Sequence, residues 1–248
     1  MITQLWRFPV KSMQGSPVDA VHVGAAGIEG DRQRAVLDAD TGRLLSAKRY
    51  SALLLASADD AGITLPEGPT LPYGDPSMDR VLSEWLGRGV RLAEADTATS
   101  VQYEMTFEPP NDDAEYVPIP APPGTFFDWA GVHLLAVQTL AGCASARPEL
   151  DWDVRRFRPN VVLDEAGLEP FGEDAWCGSQ LRLGTGGAVL TARQPTVRCA
   201  MPLRGQPGLV RQRELYGALE ELHRNHLGIY LAVVSPGPVR VGDEIAVI

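Results

Sequence analysis

The sequence predicts an α+β fold rich in strands, in which an N-terminal β-barrel-like module packs on a C-terminal β-barrel with a few helices. Hydrophobic residues make up 44% of the 248 positions, enough for one large core or two small ones. Short apolar runs of strand length, separated by turn residues, occupy both ends of the chain. A segment rich in proline and acid separates them. We therefore expect a first domain over 1–95, a linker over 96–124 and a second domain over 125–248.

The N-terminal module is predicted to contain five strands and one helix. Strand-like runs are ITQLWRF, VDAVHV, RAVLDA, ALLLAS and GVRLAEA. The Asp and Gly of DADTGRLLS predict a tight turn, so that residues 34–46 form a hairpin. The helix is predicted to begin at a cap formed by Asp75, with Pro76 in the first helical position. Its apolar residues then recur on one face.

The C-terminal module is predicted to alternate strands with two helices. VHLLAV is the pattern of a buried strand, and Thr139 is predicted to cap a short helix that Pro148 ends. A last helix is predicted over 212–226, with Gly228 ending it. The runs IYLAVV and VRVGDEIAVI then close the chain as strands.

Composition excludes several classes of function. The net charge of −10 argues against a nucleic-acid partner, because phosphate binding requires a basic face. The sequence contains no run of the roughly 18 apolar residues that a membrane-spanning helix needs, and its first residues do not resemble a signal peptide. We therefore expect a cytoplasmic protein with no membrane partner. Three cysteines without CxxC spacing predict free thiols rather than disulfides or structural zinc.

Cys199 is the cysteine with unusual surroundings. It lies in RQPTVRCAMPLRG, between Arg193, Arg198 and Arg204. Because positive charge stabilises a thiolate, this setting suits a ligand for a soft metal or a nucleophile. The alternative is a small buried hydrophobic residue, which cysteine often is.

Three other segments carry candidate binding residues. In FPVKS, Lys11 and Ser12 place a cation beside a hydroxyl donor, which suits an anion, and GIEGDRQR adds Arg32. In RRFRPNVVLD, Arg158 and Asn160 precede a buried strand, where an arginine fork can hold phosphate and an amide can bind a heterocycle. Ordinary turns and ion pairs with neighbouring carboxylates are the alternative interpretation. The acidic pair in PFGEDAW is expected to orient these arginines.

Taken together, these segments resemble the MOSC family, which is named for the C-terminal domain of molybdenum-cofactor sulfurase, with its usual N-terminal β-barrel partner. The N-terminal segments that carry the resemblance are LWRFPVKS, GIEGDR and GRLLSAKR. The C-terminal segments are RFRPNVVLD, PFGEDAW, TVRC, LGIYLAVV and VRVGDEIAV. The stretch MPLRGQPG after the cysteine departs from the family's reductases, which typically have an acidic stretch there.

The resemblance implies that the molybdenum cofactor, a molybdopterin, lies in a cleft between the two modules. Cys199 would be the catalytic residue and the ligand of the metal. The residues that would hold the cofactor are Lys11, Ser12, Arg32, Lys48, Thr139, Arg158, Asn160 and Arg198.

The activity that this resemblance implies is reduction of N-hydroxylated or other N-oxygenated small molecules. Electrons would come from a separate donor protein of the ferredoxin, flavodoxin or cytochrome type. Two alternatives remain open from the residues. Cys199 could instead carry a persulfide in a sulfur-transfer protein, or the chain could bind and carry the cofactor without catalysis.

Overall fold

The structure is a computed structural model that describes residues 1–96, 98–111 and 113–248. In the first half of the chain the elements are β1 (Ile2–Arg7), β2 (Ser16–Val18), β3 (Ala20–Val23), β4 (Arg34–Asp38), β5 (Ser57–Ala58), β6 (Gly62–Thr64), β7 (Thr70–Pro72), α1 (Met78–Leu86), β8 (Val90–Glu94), β9 (Gln102–Met105) and β10 (Val117–Pro120). In the second half they are β11 (Val132–Ala136), α2 (Val137–Ala146), α3 (Val154–Phe157), β12 (Val161–Leu163), β13 (Gln180–Leu183), β14 (Val189–Val197), α4 (Glu214–His223), β15 (His226–Ser235), β16 (Gly237–Arg240) and β17 (Ile245–Val247).

The predicted strand-rich α+β fold is confirmed, and its largest element is an eight-stranded mixed sheet. Its strands follow the order β17-β13-β14-β15-β11-β12-β1-β2. β11 and β12 run parallel, and the other neighbours in this sheet run antiparallel. The start of the chain thus belongs to the sheet of the C-terminal half, since Leu5 pairs with Val161. β3 likewise pairs with β16.

Burial of apolar side chains explains why the first strands join the C-terminal half. Ile2 and Leu5 are fully buried in a core that also contains Leu134 and Leu231. A separate core lies in the N-terminal half, where β4 pairs with β8, β5 to β7 form a small sheet, and α1 packs against them. The fully buried Leu82 of α1 belongs to this second core. These two apolar cores are joined by chain segments that cross between them, and two further clusters form around Phe157 and around Tyr103.

The helices agree with their predicted positions but differ at their ends. α1 begins at Met78 rather than at Pro76, and the Asp75 side chain accepts hydrogen bonds from the backbone N–H and hydroxyl of Ser77, each within 2.8 Å. It ends at Gly87, whose φ of 65° lies in the left-handed region that glycine tolerates. α4 is shorter than predicted at both ends, because its last residue precedes two left-handed residues.

Three local predictions need correction. ALLLAS is not one strand: residues 51–55 form a 3₁₀ helix, because Leu53 and Leu54 are both fully buried and a strand would point one of them outward. Thr139 does not cap α2, which begins two residues earlier. The segment rich in proline and acid within the predicted linker is not all loop, because it contains β10, which forms a hairpin with β9. The tight turn in 34–46 is present, but β4 pairs mainly with β8.

Candidate functional site

An open cleft lies between the two halves of the molecule, close to the ends of β1 and β14. It has about 680 Å³ of empty volume, part of which is open to solvent. Seven of the nine predicted site residues line it, so the structure brings together residues that are far apart in the chain. From the first half they are Lys11, Ser12 and Arg32, and from the second half Arg158, Asn160, Arg198 and Cys199.

Lys11 and Ser12 reach the cleft because the chain turns sharply after β1. Val10 bridges to Arg34 on β4, and Ser12 then takes a left-handed φ of 70°, which is uncommon for a residue with a side chain. The backbone N–H of Ala47 donates to the Ser12 hydroxyl oxygen at 3.0 Å. Because that hydroxyl is used there as an acceptor, its own proton remains to be donated to a ligand.

A carboxylate that sequence analysis missed lies between two lysines. Asp128 lines the cleft, and its Oδ1 accepts a hydrogen bond from Nζ of Lys11. Its Oδ2 lies 2.7 Å from Nζ of Lys48. Both lysines are almost completely buried, and the Tyr103 ring lies 4.4 Å from Nζ of Lys48. Burial favours a protonated Asp128, but Lys11 and Lys48 outweigh it and hold the pKa of this carboxyl below its usual range. Lys48 therefore acts on the cleft through Asp128 rather than by lining it.

Burial also changes the acidity of the two cations closest to the cleft. Lys11 has a pKa lowered to about 8 by burial, with Asp128 opposing the shift and Lys48 adding to it. Arg158 has a pKa lowered to about 9, again by burial first and by the neighbouring Arg32 second. Four cations, Lys11, Arg32, Arg158 and Arg198, line the cleft, and Asp128 is the carboxylate that lines it with them. An anion that entered it would be stabilised.

Two buried arginines of the cleft, Arg158 and Arg198, are among those with a donor atom that has no partner in the described part of the chain. Arg158 donates from Nη1 to the Met13 carbonyl at 2.7 Å and lies over the Phe8 ring at 4.1 Å. Arg198 donates from Nη2 to the Phe157 carbonyl at 2.8 Å. Among the residues that the structure describes, no acceptor is found for Nη2 of Arg158 or for Nε of Arg198. Such donors are costly to leave unpaired, so their presence at a cleft indicates a ligand with oxygen acceptors.

Asn160 and Arg32 join the two halves directly. Oδ1 of Asn160 accepts from the His133 backbone N–H at 3.2 Å, and its Nδ2 donates to the Trp6 carbonyl at 3.2 Å. Arg32 donates to Asp31, and lies 3.4 Å from both Oδ1 of Asn160 and the Arg158 carbonyl. The amide of Asn160 is thus already engaged within the protein. Its first role here is to connect β1 with β11.

Cys199 follows β14 and is partly exposed in the cleft. The residue before it is fixed at both backbone groups. The N–H of Arg198 donates to the Asn225 carbonyl at 2.9 Å, and Nδ2 of Asn225 donates back to the Arg198 carbonyl at 2.7 Å. The chain between the end of β14 and Cys199 therefore has a defined position.

The stretch that departs from the family pattern, 201–208, connects the two halves. Arg156 is fully buried and donates to the Pro202 carbonyl at 3.2 Å from the C-terminal half. From the N-terminal half, Nε2 of Gln14 donates to Oε1 of Gln206 at 2.9 Å. Arg204 also donates to the backbone carbonyl of Lys48 at 2.6 Å. These contacts hold the chain just after Cys199 against the segment that carries Lys48.

Thr139 lies outside the cleft, in contrast to its predicted place beside the cofactor. Its hydroxyl lies 2.7 Å from Oε2 of Glu173, which is also buried, and accepts from the Phe171 backbone N–H at 2.8 Å. Glu173 therefore holds the start of α2 and does not orient an arginine, as had been expected. Its neighbour Asp174 pairs with His223 at 2.6 Å. Both acidic residues of PFGEDAW thus serve packing between elements.

Two glycines let the halves approach each other beside the cleft. A Cβ on Gly131 would lie 2.0 Å from the Ala26 carbonyl oxygen, and one on Gly27 would lie 2.7 Å from the Gly131 carbonyl oxygen. Real Cβ atoms do not approach backbone so closely, so only glycine fits at these positions. The contact places the loop that carries Arg32 against the segment that carries Asp128.

Two further findings concern possible metal ligands and membrane-spanning helices. In the ranges that the structure describes, His, Cys, Asp and Glu form no group of three or more that could hold a metal ion. Within those same ranges no helix has both the length and the apolar character needed to cross a membrane.

Comparison with known families agrees with this architecture. Residues 1–102 match the MOSC N-terminal beta barrel domain, and residues 125–246 match the MOSC domain. The chain belongs to the MOSC family, in the form that carries both domains. The resemblance stated from the sequence is therefore confirmed.

Individual relatives are more distant. The chain is similar to mitochondrial amidoxime-reducing component 1 of Xenopus laevis, with 27% identity over 99% of this chain and 81% of the relative. Identity to mitochondrial amidoxime-reducing component 1 of Homo sapiens is 26%, over 98% of this chain and 82% of the relative. Among solved structures, the YuaD protein from Bacillus subtilis aligns over 99% of this chain and 94% of that chain, with 15% identity and a TM-score of 0.47.

Proposed function

We propose that this protein is an oxidoreductase that binds the molybdenum cofactor in the cleft and removes oxygen from N-hydroxylated small molecules. Membership of the MOSC family supports an association with the molybdenum cofactor. The similarity to two amidoxime-reducing components supports the kind of reaction. The observation that carries the proposal is the pair of buried arginines in the cleft whose donors have no partner in the described part of the chain.

The residues in the cleft fit this cofactor chemically. A molybdopterin carries phosphate, and the unpaired guanidinium donors of Arg158 and Arg198 match oxygen acceptors. Lys11 adds positive charge, and Ser12 has a hydroxyl proton to donate. Cys199 offers the soft sulfur that suits molybdenum. The cofactor would supply two-electron chemistry and a position that accepts oxygen from the substrate.

The chain's own residues would bind, orient and supply protons. Removing oxygen from an N-hydroxylated amine consumes two electrons and two protons and gives the amine and water. Among the groups on the cleft wall that carry protons at neutral pH, Nζ of Lys11 has a pKa of about 8, the guanidinium of Arg158 has a pKa of about 9, and burial raises the pKa of Oη of Tyr230 to about 12. Lys11 releases its proton more readily, so it is the better donor. The electrons would come from a separate protein of the ferredoxin, flavodoxin or cytochrome type.

The first experiment measures bound metal and activity together. The protein is produced in a host that makes the cofactor, molybdenum is measured by elemental analysis, and benzamidoxime reduction is followed with a reconstituted electron donor. We expect close to one molybdenum per chain and activity above background. Less than about a tenth of an equivalent in repeated preparations, with no pterin fluorescence after oxidation, would contradict the proposal.

Two cysteine variants form a matched pair for the same assay. Cys199→Ala removes the thiol that lines the cleft, whereas Cys143→Ala removes a fully buried thiol outside it. We expect the first to abolish activity and the second to retain both molybdenum and activity. A persulfide on Cys199 without any molybdenum, detected by mass spectrometry after incubation with a cysteine desulfurase, would instead support sulfur transfer. Bound cofactor with only background reduction would indicate a carrier.

A further inference from the structure

A groove adjoins the cleft along β14 and β15. The segment 127–130 separates the two depressions, since Phe127, Trp129 and Ala130 line both. The far side of the groove is formed by Pro122, Pro123, Leu231, Val233 and Arg193. We call it the Arg193 groove. It adjoins the cleft, and the side chains that line it are apolar except for those of Thr125 and Arg193.

A β-bulge directs Arg193 into this groove. Ala192 pairs with Leu231 and Gln194 pairs with Tyr230, so Arg193 is an extra residue opposite two consecutive residues of β15. As a result Arg193 and Gln194 are both exposed, although strand residues normally alternate between faces. Tyr230 lines the cleft and Leu231 lines the groove. The bulge therefore lies at the border between the two depressions, and bulges often re-aim side chains next to active sites.

Arg193 is one of the arginines for which the described part of this acidic chain provides no counter-ion. Among the residues that the structure describes, its guanidinium makes no ion pair or hydrogen bond, and no Asp or Glu lines the groove. Arg155 and Arg156, by contrast, pair with Asp153 and Asp151 at 2.7 and 3.0 Å. An unpaired cation at the end of an apolar groove is complementary to a ligand with an apolar body and an anionic group.

Two exposed apolar side chains stand at the mouth of the cleft. Trp129 is 60% exposed and Val197 is 54% exposed, and both line the cleft that contains Cys199. Large apolar side chains exposed at the rim of a polar cleft commonly contact a ligand. Trp129 also lines the groove, so it can pack against a flat body that extends from one depression to the other.

We propose that the Arg193 groove binds the body of the substrate, and that the substrate is an N-oxygenated compound with an aromatic or apolar middle and a carboxylate at its far end. The carboxylate pairs with Arg193, the middle packs on Trp129, and the N-oxygenated end enters the cleft. The inference rests on the proposed function for the identity of that end. Val197 lies four positions after Arg193 on β14, roughly 13 Å of extended strand, which sets the length of the molecule.

The kinetic test compares two substrates that differ only in charge. One is benzamidoxime with a para 4-carboxybutyl chain, and the other is its methyl ester. We expect the carboxylate to have a KM about fivefold lower in the wild type, with similar kcat, because the pair with Arg193 forms on binding. Arg193→Gln should abolish that ratio, and Arg193→Lys should restore most of it. Arg182→Gln, a change at an exposed arginine on β13, should keep the wild-type ratio.

A binding test without turnover separates this inference from the proposed function. The matching benzamides, with carboxylate or ester, cannot be reduced, and their affinity for the protein as isolated is measured by calorimetry. Tighter binding of the carboxylate that is lost in Arg193→Gln supports the groove even if no substrate is reduced. Reduction of both substrates without any dependence on Arg193 would overturn the groove and leave the proposed function standing. Equal affinities in the wild type would also overturn it.

Discussion

Replacing Asp128 with Asn is the sharpest test of the charge arrangement in the cleft. The carboxylate of Asp128 contacts both Lys11 and Lys48, which are 5% and 3% exposed. The amide keeps the size of the side chain but removes its charge, and its oxygen can accept from only one lysine at full strength. Two neighbouring ammonium groups are then left in a buried place without an anion.

The size of the effect follows from the burial of the partners. Removing one member of a buried ion pair costs about 3–5 kcal/mol. Asp128 is 31% exposed on its side chain, so water screens part of the interaction and we take the lower end, about 3 kcal/mol. For a chain of this length that corresponds to a fall in Tm of about 9 °C. Asp60→Asn is the control, because its pair with Arg7 has a carboxylate that is 78% exposed, and it should change stability by less than about 1 kcal/mol.

The pH dependence of the same variant checks the cause. The pKa of Asp128 is lowered on folding, so its contribution to stability is present above the unfolded pKa of about 3.9 and is lost as pH falls below it. Urea unfolding at pH 7 should therefore show the full difference between wild type and Asp128→Asn, and the difference should shrink at pH 3. A difference that stays the same at both pH values would refute the electrostatic explanation, and so would a loss no larger than that of Asp60→Asn.

Three further predictions concern other parts of the structure. Thr139→Val should lower the free energy of unfolding by about 1–3 kcal/mol in urea titrations, because buried Glu173 loses a donor, while molybdenum content stays at the wild-type level. Gly131→Ala should lower Tm, since its Cβ would lie 2.0 Å from a carbonyl oxygen, whereas Gly217→Ala, with no atom within 4 Å, should raise it slightly. Lys11 has a pKa of about 8 in the folded protein, against 10.5 for an unperturbed lysine. Between these two pH values the unfolded chain binds more protons, so the stability of the wild type should rise with pH. Lys11→Met should remove that rise in urea titrations.

The cleft residues that lie in short, recognisable segments could be predicted from the sequence. Lys11, Ser12 and Arg32 lie in or beside turns that can be recognised from the neighbouring residues. Cys199 could be singled out because arginines surround it in the sequence. Asp128 was missed because it follows the proline-rich segment, and nothing local shows that it meets lysines 117 and 80 positions earlier. Contacts of that kind depend on how distant strands pair, which periodicity does not report.

The errors have related causes. Threonine is a common helix cap, but the Thr139 hydroxyl instead bonds the buried carboxylate of Glu173, and hydrogen bonds to a charged group are the stronger ones. ALLLAS has the composition of a strand, but two adjacent leucines are needed in one core. Local pattern also could not predict that β1 pairs with β12 and β3 with β16, because these partners lie near residues 161 and 239. Tertiary packing determined these elements more than local propensity did.

The pairing of β1 with β12 has a consequence for how the chain is made. Leu5 leaves the ribosome long before Val161, its partner in the finished sheet, has been synthesised. At about 5–20 residues per second the delay is on the order of 10–30 s, during which Ile2 and Leu5 lack the part of their apolar core that residues 132–239 supply. Order of synthesis and order of assembly therefore differ in this protein, and the first strand to emerge is among the last to be enclosed.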